Sequence, residues 1–435
     1  MSDRRAKPFR KIAGEARIPG DKSISHRSVM LGSLATGTTR VRGFLPGDDP
    51  LATIGCFEAM GVKIERPART ELVIHGVGLG GLKAPTKNLD VGNSGTTIRL
   101  LSGIMAAQPF DSVLDGDASI RRRPMGRVME PLAQMGAQIE GIGGKGNAPL
   151  RVRGLPKGKK LKGVTYKSPV ASAQVKSALL LAGLYAEGET VVLEPAVSRD
   201  HTERMFAWMG VETRKVEGGV SLRGGQQPKG RDIEVPSDIS SAAFLIVAAL
   251  LAKEGELLLK DVGVNPTRDG IVEVLCKMGG KIEVLNPRER SGEPVADLKI
   301  QASRLKAGKI GGAVVPRLID EIPVLAVAAA FAEGETVISD AQELRVKESD
   351  RIATMGEELG KLGIQIEPLP DGMKIRGNPE RSVSGGRVDS HGDHRVAMSL
   401  AVCGAKANGE IEVGDTACVE TSFPGFFELL SEVSA

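Results

Sequence analysis

The residues Pro19-Gly20-Asp21-Lys22-Ser23-Ile24-Ser25-His26-Arg27-Ser28 gather two cations and several hydroxyls at the start of an apolar run, Val29 to Ala35. The spacing of that run predicts a helix, with Ser23 or Ser25 expected to cap its first turn. A helix start offers N–H groups without intrahelical partners and about half a positive charge. With Lys22, Arg27 and hydroxyls beside it, such a start can receive a phosphate or a carboxylate. The bland alternative is an ordinary capped helix with solvated charges. A P-loop does not fit, because Asp21 separates Gly20 from Lys22 and no glycine-rich approach precedes them.

Similar groups recur along the chain. Asn93-Ser94-Gly95-Thr96-Thr97-Ile98-Arg99 opens a second helix, where Gly95 would let a ligand approach the backbone. Arg121, Arg122 and Arg123 follow one another before Pro124 and cannot all face one way; Arg123 has the most fixed position. Ser172-Ala173-Gln174-Val175-Lys176 opens another helix, with a hydroxyl and an amide suited to a polyhydroxy ligand, and Ser198-Arg199-Asp200-His201-Thr202 lies in a loop. Later come Asp320-Glu321, Arg345-Val346-Lys347-Glu348-Ser349-Asp350-Arg351 and His391-Gly392-Asp393-His394-Arg395. Helical spacing puts Lys347 and Arg351 on one face, a like-charged pair that is unfavourable without an anion between them. That local conflict points to function.

These groups sit on a repeat. A Met-Gly, or Leu-Gly in the last case, followed by a strand-like run recurs at Met60-Gly61, Met135-Gly136, Met209-Gly210, Met278-Gly279 and Leu362-Gly363. Each reads as a helix ending at a C-cap glycine and turning into a strand. Ahead of these lie small polar caps, then small-residue apolar helices, then β-rich runs. The expected helix starts are Ser23, Ser94 to Thr96, Ser172, Ser240, Asp320-Glu321 and Asp393-His394. Over 435 residues this makes six units of about 70 residues, the last truncated. Two three-unit halves follow, each with helices packed inside strands. If the units are related by pseudo-symmetry, their helix starts converge on one region. Gly76 to Gly81 and Gly141 to Gly146 match GxGxxG, but neither opens a helix, so both are expected to be turns.

Composition narrows the function classes. With 58 basic and 54 acidic residues the net charge is only +4, and aromatic residues make up 3%, too few for base-stacking platforms. Nucleic acid is therefore not an expected partner. The cysteines Cys56, Cys276, Cys403 and Cys418 form no CxxC pair and no zinc-ligand spacing, so reduced, mostly buried thiols and a cytoplasmic location are expected. Met1 to Arg10 is basic without an apolar segment, so no signal peptide is expected. The longest apolar runs, Ala242 to Ala252 and Pro323 to Ala332, are too short to cross a membrane and read as buried helices.

The motifs at Gly20 to Arg27, Gly92 to Thr96, Arg123 to Arg127, Arg345 to Arg351 and Gly392 to Arg395 resemble, in order and across nearly the whole chain, those of the 5-enolpyruvylshikimate-3-phosphate synthase family. The stretch around Arg123 and Ala171 to Lys176 is similar to its class II branch. The resemblance implies an α/β fold, a two-domain inside-out α/β barrel of six βαβαββ repeats, three per domain. The domains would be 21–236, and 1–20 with 237–435, crossing near Gly20 and near Pro236-Ser237 and closing on the substrates like a clamp. It implies transfer of the enolpyruvyl group of phosphoenolpyruvate to the 5-hydroxyl of shikimate 3-phosphate, without cofactor or metal, by a monomer. Lys22, Ser23 and Arg27 would bind shikimate 3-phosphate, with Lys22 also touching phosphoenolpyruvate. Ser172, Ala173 and Arg199 would complete the 3-phosphate pocket. Gly95, Arg123, Arg351 and Arg395 would hold phosphoenolpyruvate, and Gln174 would bridge both substrates. Asp320 would be the general base with Lys347 nearby, and Glu348 the proton donor to the methylene carbon. Asp320 is also expected to cap a helix, and His26, His391 and His394 to be scaffolding.

Three positions depart from the family pattern. Thr421 stands where many members carry a lysine, Leu100 where proline is common, and Gly95 where glyphosate-tolerant class II members typically have alanine. Gly95 therefore implies glyphosate sensitivity. The rivals are a UDP-N-acetylglucosamine enolpyruvyl transferase, which generally uses a loop cysteine in the first half, an RNA-end-processing enzyme, and a non-catalytic anion-binding protein. Cys56, on an apparently buried helix, and the Lys22 to Arg27 motif argue against the first.

Overall fold

Between Leu89 and Arg153 the chain builds one complete repeat. Strand Leu89–Asp90 leads into helix Gly95–Met105 and strand Ser112–Asp115, then into helix Gly126–Gln134 and the hairpin Gln138–Gly141 and Leu150–Arg153. The helical crossover makes the first two strands parallel, Leu89 opposite Leu114, and the remaining pairings are antiparallel. The computed structural model describes residues 3–144 and 146–434. Met1, Ser2 and Ala435, which the expected second domain includes, and Lys145, in the second glycine turn, lie outside the described residues.

The same four-strand order recurs in sheets built on Glu189–Leu193 and Gly334–Ile338. Two sheets take their first strand from far along the chain. Ile233–Glu234 pairs with Thr36–Arg42, and Gly14–Arg17 with Glu256–Gly263, both in parallel. The sixth sheet has three described strands, Arg4–Ala6, Ile411–Gly414 and Gly386–Asp389, in that order. The expected truncation of the last repeat is thus met by a strand from the opposite end of the chain. Two compact units result. One comprises Gly20–Val235 with Arg290–Glu293; the other comprises Met1–Pro19, Pro236–Glu289 and Pro294–Ala435.

Each unit has its own apolar core, centred on helices that are buried nearly throughout. These are Lys22–Leu34, Gly95–Met105 and Ala173–Gly183 in the first unit, and Ile239–Leu251, Ile322–Ala330 and His394–Val402 in the second. Helices enclosed in this way must be apolar or small on every face, which is why Ala, Gly, Ser, Leu and Val dominate them. All five helix-to-strand glycines have positive φ, from 78° at Gly363 to 96° at Gly136, a conformation that costs glycine little. Gly76 to Gly81 runs out of strand Glu71–Val77 into a turn, and Gly141, the last residue of strand Gln138–Gly141, likewise leads into turn at Ile142 to Gly144. Among the described residues no helix is long and apolar enough to cross a membrane.

Several expected details are corrected. Asp21, not Ser23 or Ser25, caps the first helix, accepting from the Ile24 amide at 2.9 Å; Ser25 instead accepts from Leu45. Asp238, not Ser240, caps the fourth helix, because its carboxylate accepts the Ser240 amide at 2.8 Å. Asp320 is no cap: it lies in the 3₁₀ turn Ile319–Glu321, and helix Ile322–Ala330 begins after it. Cysteine burial is mixed, with Cys56 and Cys403 buried, Cys418 half-buried and Cys276 exposed.

Two predictions follow from this packing. A Cβ on Gly103 would lie 2.1 Å from the Ala178 carbonyl oxygen, where two buried helices touch. Gly103→Ala should therefore force them apart and cost about 2 kcal/mol, read as a lower urea midpoint; an unchanged midpoint would show that the helices separate freely. His26 is fully buried, its Nδ1 2.7 Å from the Thr53 hydroxyl. Burial first, then Lys22 and Arg27, hold it well below the ordinary histidine range. The folded protein keeps it neutral, whereas the unfolded chain takes a proton below about pH 6.5. Stability contributed by this site is present above that pH and declines below it by up to about 1.4 kcal/mol per unit. On acidification to about pH 5.5 the wild-type midpoint should fall further than that of His26→Gln; parallel declines would place the acid sensitivity elsewhere.

Candidate active site

In the first unit the expected residues stand at the starts of its three buried helices and in the adjoining loops. Arg27, 4% exposed, is held by neutral oxygens: Nε donates to Thr202 Oγ1 at 2.7 Å, Nη1 to the Ser23 carbonyl at 3.0 Å and Nη2 to Ser177 Oγ at 2.7 Å. The Thr202 hydroxyl donates to Ser177 at 2.7 Å, locking the two anchors together. Burial first, with Arg199 acting in the same direction against the opposing Glu203 and Asp21, brings the Arg27 guanidinium down to about 10. It stays cationic at neutral pH. Lys22 Nζ lies 3.1 Å from Asp49 Oδ2, and both side chains are largely buried.

Gln174 links two helix starts. Its Oε1 accepts from Arg99 Nη1 at 2.6 Å, and its Nε2 donates to Thr96 Oγ1 at 3.1 Å. Ser94 and Ser172 cap their helices as expected, accepting from the amides of Thr97 and Val175. Gly95 is the first residue of its helix, and a Cβ there would come 2.9 Å from Arg123 Nη1 and 3.0 Å from Arg99 Nη1. Two guanidiniums thus lie over a helix N-terminus, an arrangement that an anion stabilises. Of the three consecutive arginines, Arg121 pairs with Asp115 and Arg122 is exposed, whereas Arg123 is buried and donates to Asn93 Oδ1 at 2.6 Å.

The second unit holds a different cluster. Arg351 is 1% exposed and is ringed by carboxylates: Asp393 Oδ2 at 2.8 Å from Nε, Glu348 Oε2 at 2.7 Å from Nη2, and Asp320 Oδ1 at 3.4 Å from Nη1. Lys347 Nζ reaches the same Asp320 oxygen at 3.4 Å. Burial opposes the Arg351 charge, but Asp393, Glu348 and Asp320 outweigh it and raise its pKa. Burial likewise opposes the Asp393 charge, and Arg351 more than compensates, holding that carboxyl below its ordinary range. Asp393 also caps helix His394–Val402, accepting the Arg395 amide at 2.9 Å. Arg395 Nη1 lies 3.9 Å from Glu321 Oε1.

Asp320 and Glu348 keep 14% and 19% of their side chains accessible, while Asp393 keeps none. Two reachable carboxylates on different nitrogens of one fixed cation are suited to taking and giving protons in separate steps. The expected helical pairing of Lys347 with Arg351 is corrected. Asp350 caps helix Arg351–Lys361 through the Ala353 amide, so the helix starts only at Arg351. The like-charge conflict is relieved by Asp320 rather than by spacing along a helix.

Sequence reasoning missed Asp49, Ser177 and Thr202 as partners of Lys22 and Arg27, and Asp393 as the partner of Arg351. Asp393 carried a signal, a cap-type acid two residues before Arg395; the others carried none. His26 and His391 are each hydrogen-bonded, to Thr53 and to Glu358, at 2.7 Å. Glu357, Glu358 and His391 come within 4.8 Å of one another, but Lys361 Nζ pairs with both carboxylates and supplies the positive charge there.

Residues 6–430 match the EPSP synthase (3-phosphoshikimate 1-carboxyvinyltransferase) family. The chain is 56% identical over its full length, and over the full length of the relative, to a Geobacter metallireducens protein named 3-phosphoshikimate 1-carboxyvinyltransferase. It is 57% identical to the protein of that name from Geotalea uraniireducens, over 98% of both. Two solved structures of EPSP synthase from Acinetobacter baumannii superpose with TM-scores of 0.87 and 0.88, at 49% and 48% identity, covering 98% and 100% of this chain and 96% and 98% of theirs. A family match over nearly the whole chain, with full-length relatives above one-half identity, shows that the chain belongs to the EPSP synthase family.

Proposed function

We propose that the protein transfers the enolpyruvyl group of phosphoenolpyruvate to the 5-hydroxyl of shikimate 3-phosphate, giving 5-enolpyruvylshikimate 3-phosphate and phosphate on the route to chorismate and the aromatic amino acids. The observation that carries this reading is identity above one half, end to end, with relatives named for that reaction. The enclosed clusters fit its chemistry. Both substrates are anions, and each cluster holds buried arginine at or beside a helix start.

In this reading Lys22, Ser23, Arg27, Ser172, Ala173 and Arg199 bind shikimate 3-phosphate. Gly95, Arg123, Arg351 and Arg395 bind phosphoenolpyruvate, Lys22 and Gln174 touching both. Asp320 takes the proton of the 5-hydroxyl, helped by Lys347, as its oxygen bonds to C2 of phosphoenolpyruvate. Glu348 delivers a proton to the methylene carbon, completing a tetrahedral adduct. Loss of a methyl proton and of phosphate then restores the double bond. Arg351 touches both Asp320 and Glu348, so one side chain sets the positions of base and acid.

The sister transfer to UDP-N-acetylglucosamine is disfavoured because Cys56 is buried, and burial first, then Asp90, pushes its thiol up to about 12. That thiol would be a poor proton donor and a poor nucleophile. A cytoplasmic location, in keeping with free thiols, and a monomeric state belong to the same reading.

Phosphate release should appear with shikimate 3-phosphate plus phosphoenolpyruvate and not with UDP-N-acetylglucosamine, and Asp320→Ala should lower it about 10²–10⁴-fold. Release with neither acceptor would overturn the reaction, and an undiminished mutant would remove Asp320 as the base. With glycine at 95, millimolar glyphosate should inhibit, because no methyl group crowds the space beside Arg123. An unchanged rate would sink that expectation.

A further inference from the structure

The third repeat holds a buried charge cluster with no assigned part in the reaction. Glu194, directly after strand Glu189–Leu193, is 5% exposed at its side chain, and so is Lys176 in helix Ala173–Gly183; their charged atoms lie 3.1 Å apart. Lys176 also pairs with Glu203 Oε1 at 2.9 Å. Burial works against the lysine charge, but Glu203 and Glu194 outweigh it and raise its pKa.

What distinguishes this cluster from an ordinary buried ion pair is the rest of its bonding. Glu194 Oε1 accepts the backbone amide of Ser172 at 3.2 Å, and Oε2 accepts the Ser198 hydroxyl at 2.9 Å. Lys176 Nζ donates to the Ser198 carbonyl at 3.3 Å. A single carboxylate therefore ties the loop that ends at Ser172 to the loop that carries Arg199. These are the two backbone segments whose residues receive the 3-phosphate in the reading above. Lys176 fixes the carboxylate from behind and holds the second loop through its carbonyl.

We infer that Glu194, braced by Lys176, is a positioning residue that holds Ser172 and Arg199 at the separation the acceptor phosphate requires. This rests on the proposed function and deepens it. Buried ion pairs contribute little to stability against apolar replacements, so stability alone is a weak reason for charge at this place. Directional bonds to two loops supply another, since a binding group held loosely loses its advantage. The predicted consequence is specific to one substrate. Gln in place of Glu194 keeps the shape but loses the charge Lys176 faces, and one of its two bonds must change from acceptor to donor.

Steady-state kinetics of Glu194→Gln, with each substrate varied in turn, tests this. The KM for shikimate 3-phosphate should rise about tenfold, while kcat and the KM for phosphoenolpyruvate stay within about twofold. Equal rises in both KM values, or no rise in either, would overturn the inference. Should Glu194→Gln fail to fold by circular dichroism, Ser198→Ala, which severs one bond without changing charge, decides by the same criterion with an expected rise of about threefold. A wild-type enzyme silent with both substrates would instead overturn the proposed function, so the two failures are distinguishable.

Discussion

A helix enclosed on every side can do chemistry only at its ends. Every residue of Ile239–Leu251, Ile322–Ala330 and His394–Val402 is buried, and the other three inner helices come close to that. No polar face is available along their length, yet each start leaves amides that must be met. Asp21, Ser94, Ser172, Asp238 and Asp393 meet them at five of the six starts. Cap and candidate binding residue are consequently neighbours: Lys22 follows Asp21, Gly95 follows Ser94, Ala173 follows Ser172, and Arg395 lies two residues after Asp393. The enclosure that forces small apolar residues along each helix also concentrates polarity in its first turn. A nearly neutral chain can in this way present local cation clusters.

The two units use arginine differently, and the difference follows from the partners. Arg27 is anchored by two hydroxyls and a carbonyl, and burial lowers its pKa to about 10. Arg351 is surrounded by three carboxylates and its pKa rises. Neutral anchors orient a guanidinium and leave its field for an incoming anion. Carboxylate anchors do the opposite: the guanidinium becomes a fixed post around which Asp320 and Glu348 are arranged. Binding and proton transfer thus ask for different surroundings of the same side chain.

The repeats were legible in the sequence because their signals are local. A glycine after a helix followed by alternating residues needs no distant partner to be read, and all five such sites have positive φ. Capping residues were read two to four positions late at Ser23 or Ser25 and at Ser240, since an Asp nearer the helix start competes with them and only the backbone conformation decides. At Lys347 the helical period was carried back across Asp350, the residue that stops it. What could not be read was pairing at a distance. Arg27 and Thr202 are 175 residues apart, Lys22 and Asp49 27 apart, and neither partner type is unusual where it stands. The residues that touch substrates in the proposed reaction carried signals; those that orient them mostly did not.

Sheet closure adds a constraint beyond the individual repeat. The first sheet is completed by Ile233–Glu234, almost two hundred residues after Thr36–Arg42. The sixth has Arg4–Ala6 beside Ile411–Gly414. Strands left without these partners would expose an open edge of unpaired N–H and C=O groups. Such long-range pairings must form against loop-closure entropy, which slows folding more than it weakens the folded state. They also make each unit a closed set. The first repeat cannot be finished until the third has been made, so the helix starts that carry Lys22, Gly95 and Gln174 gain their final surroundings as one cooperative structure.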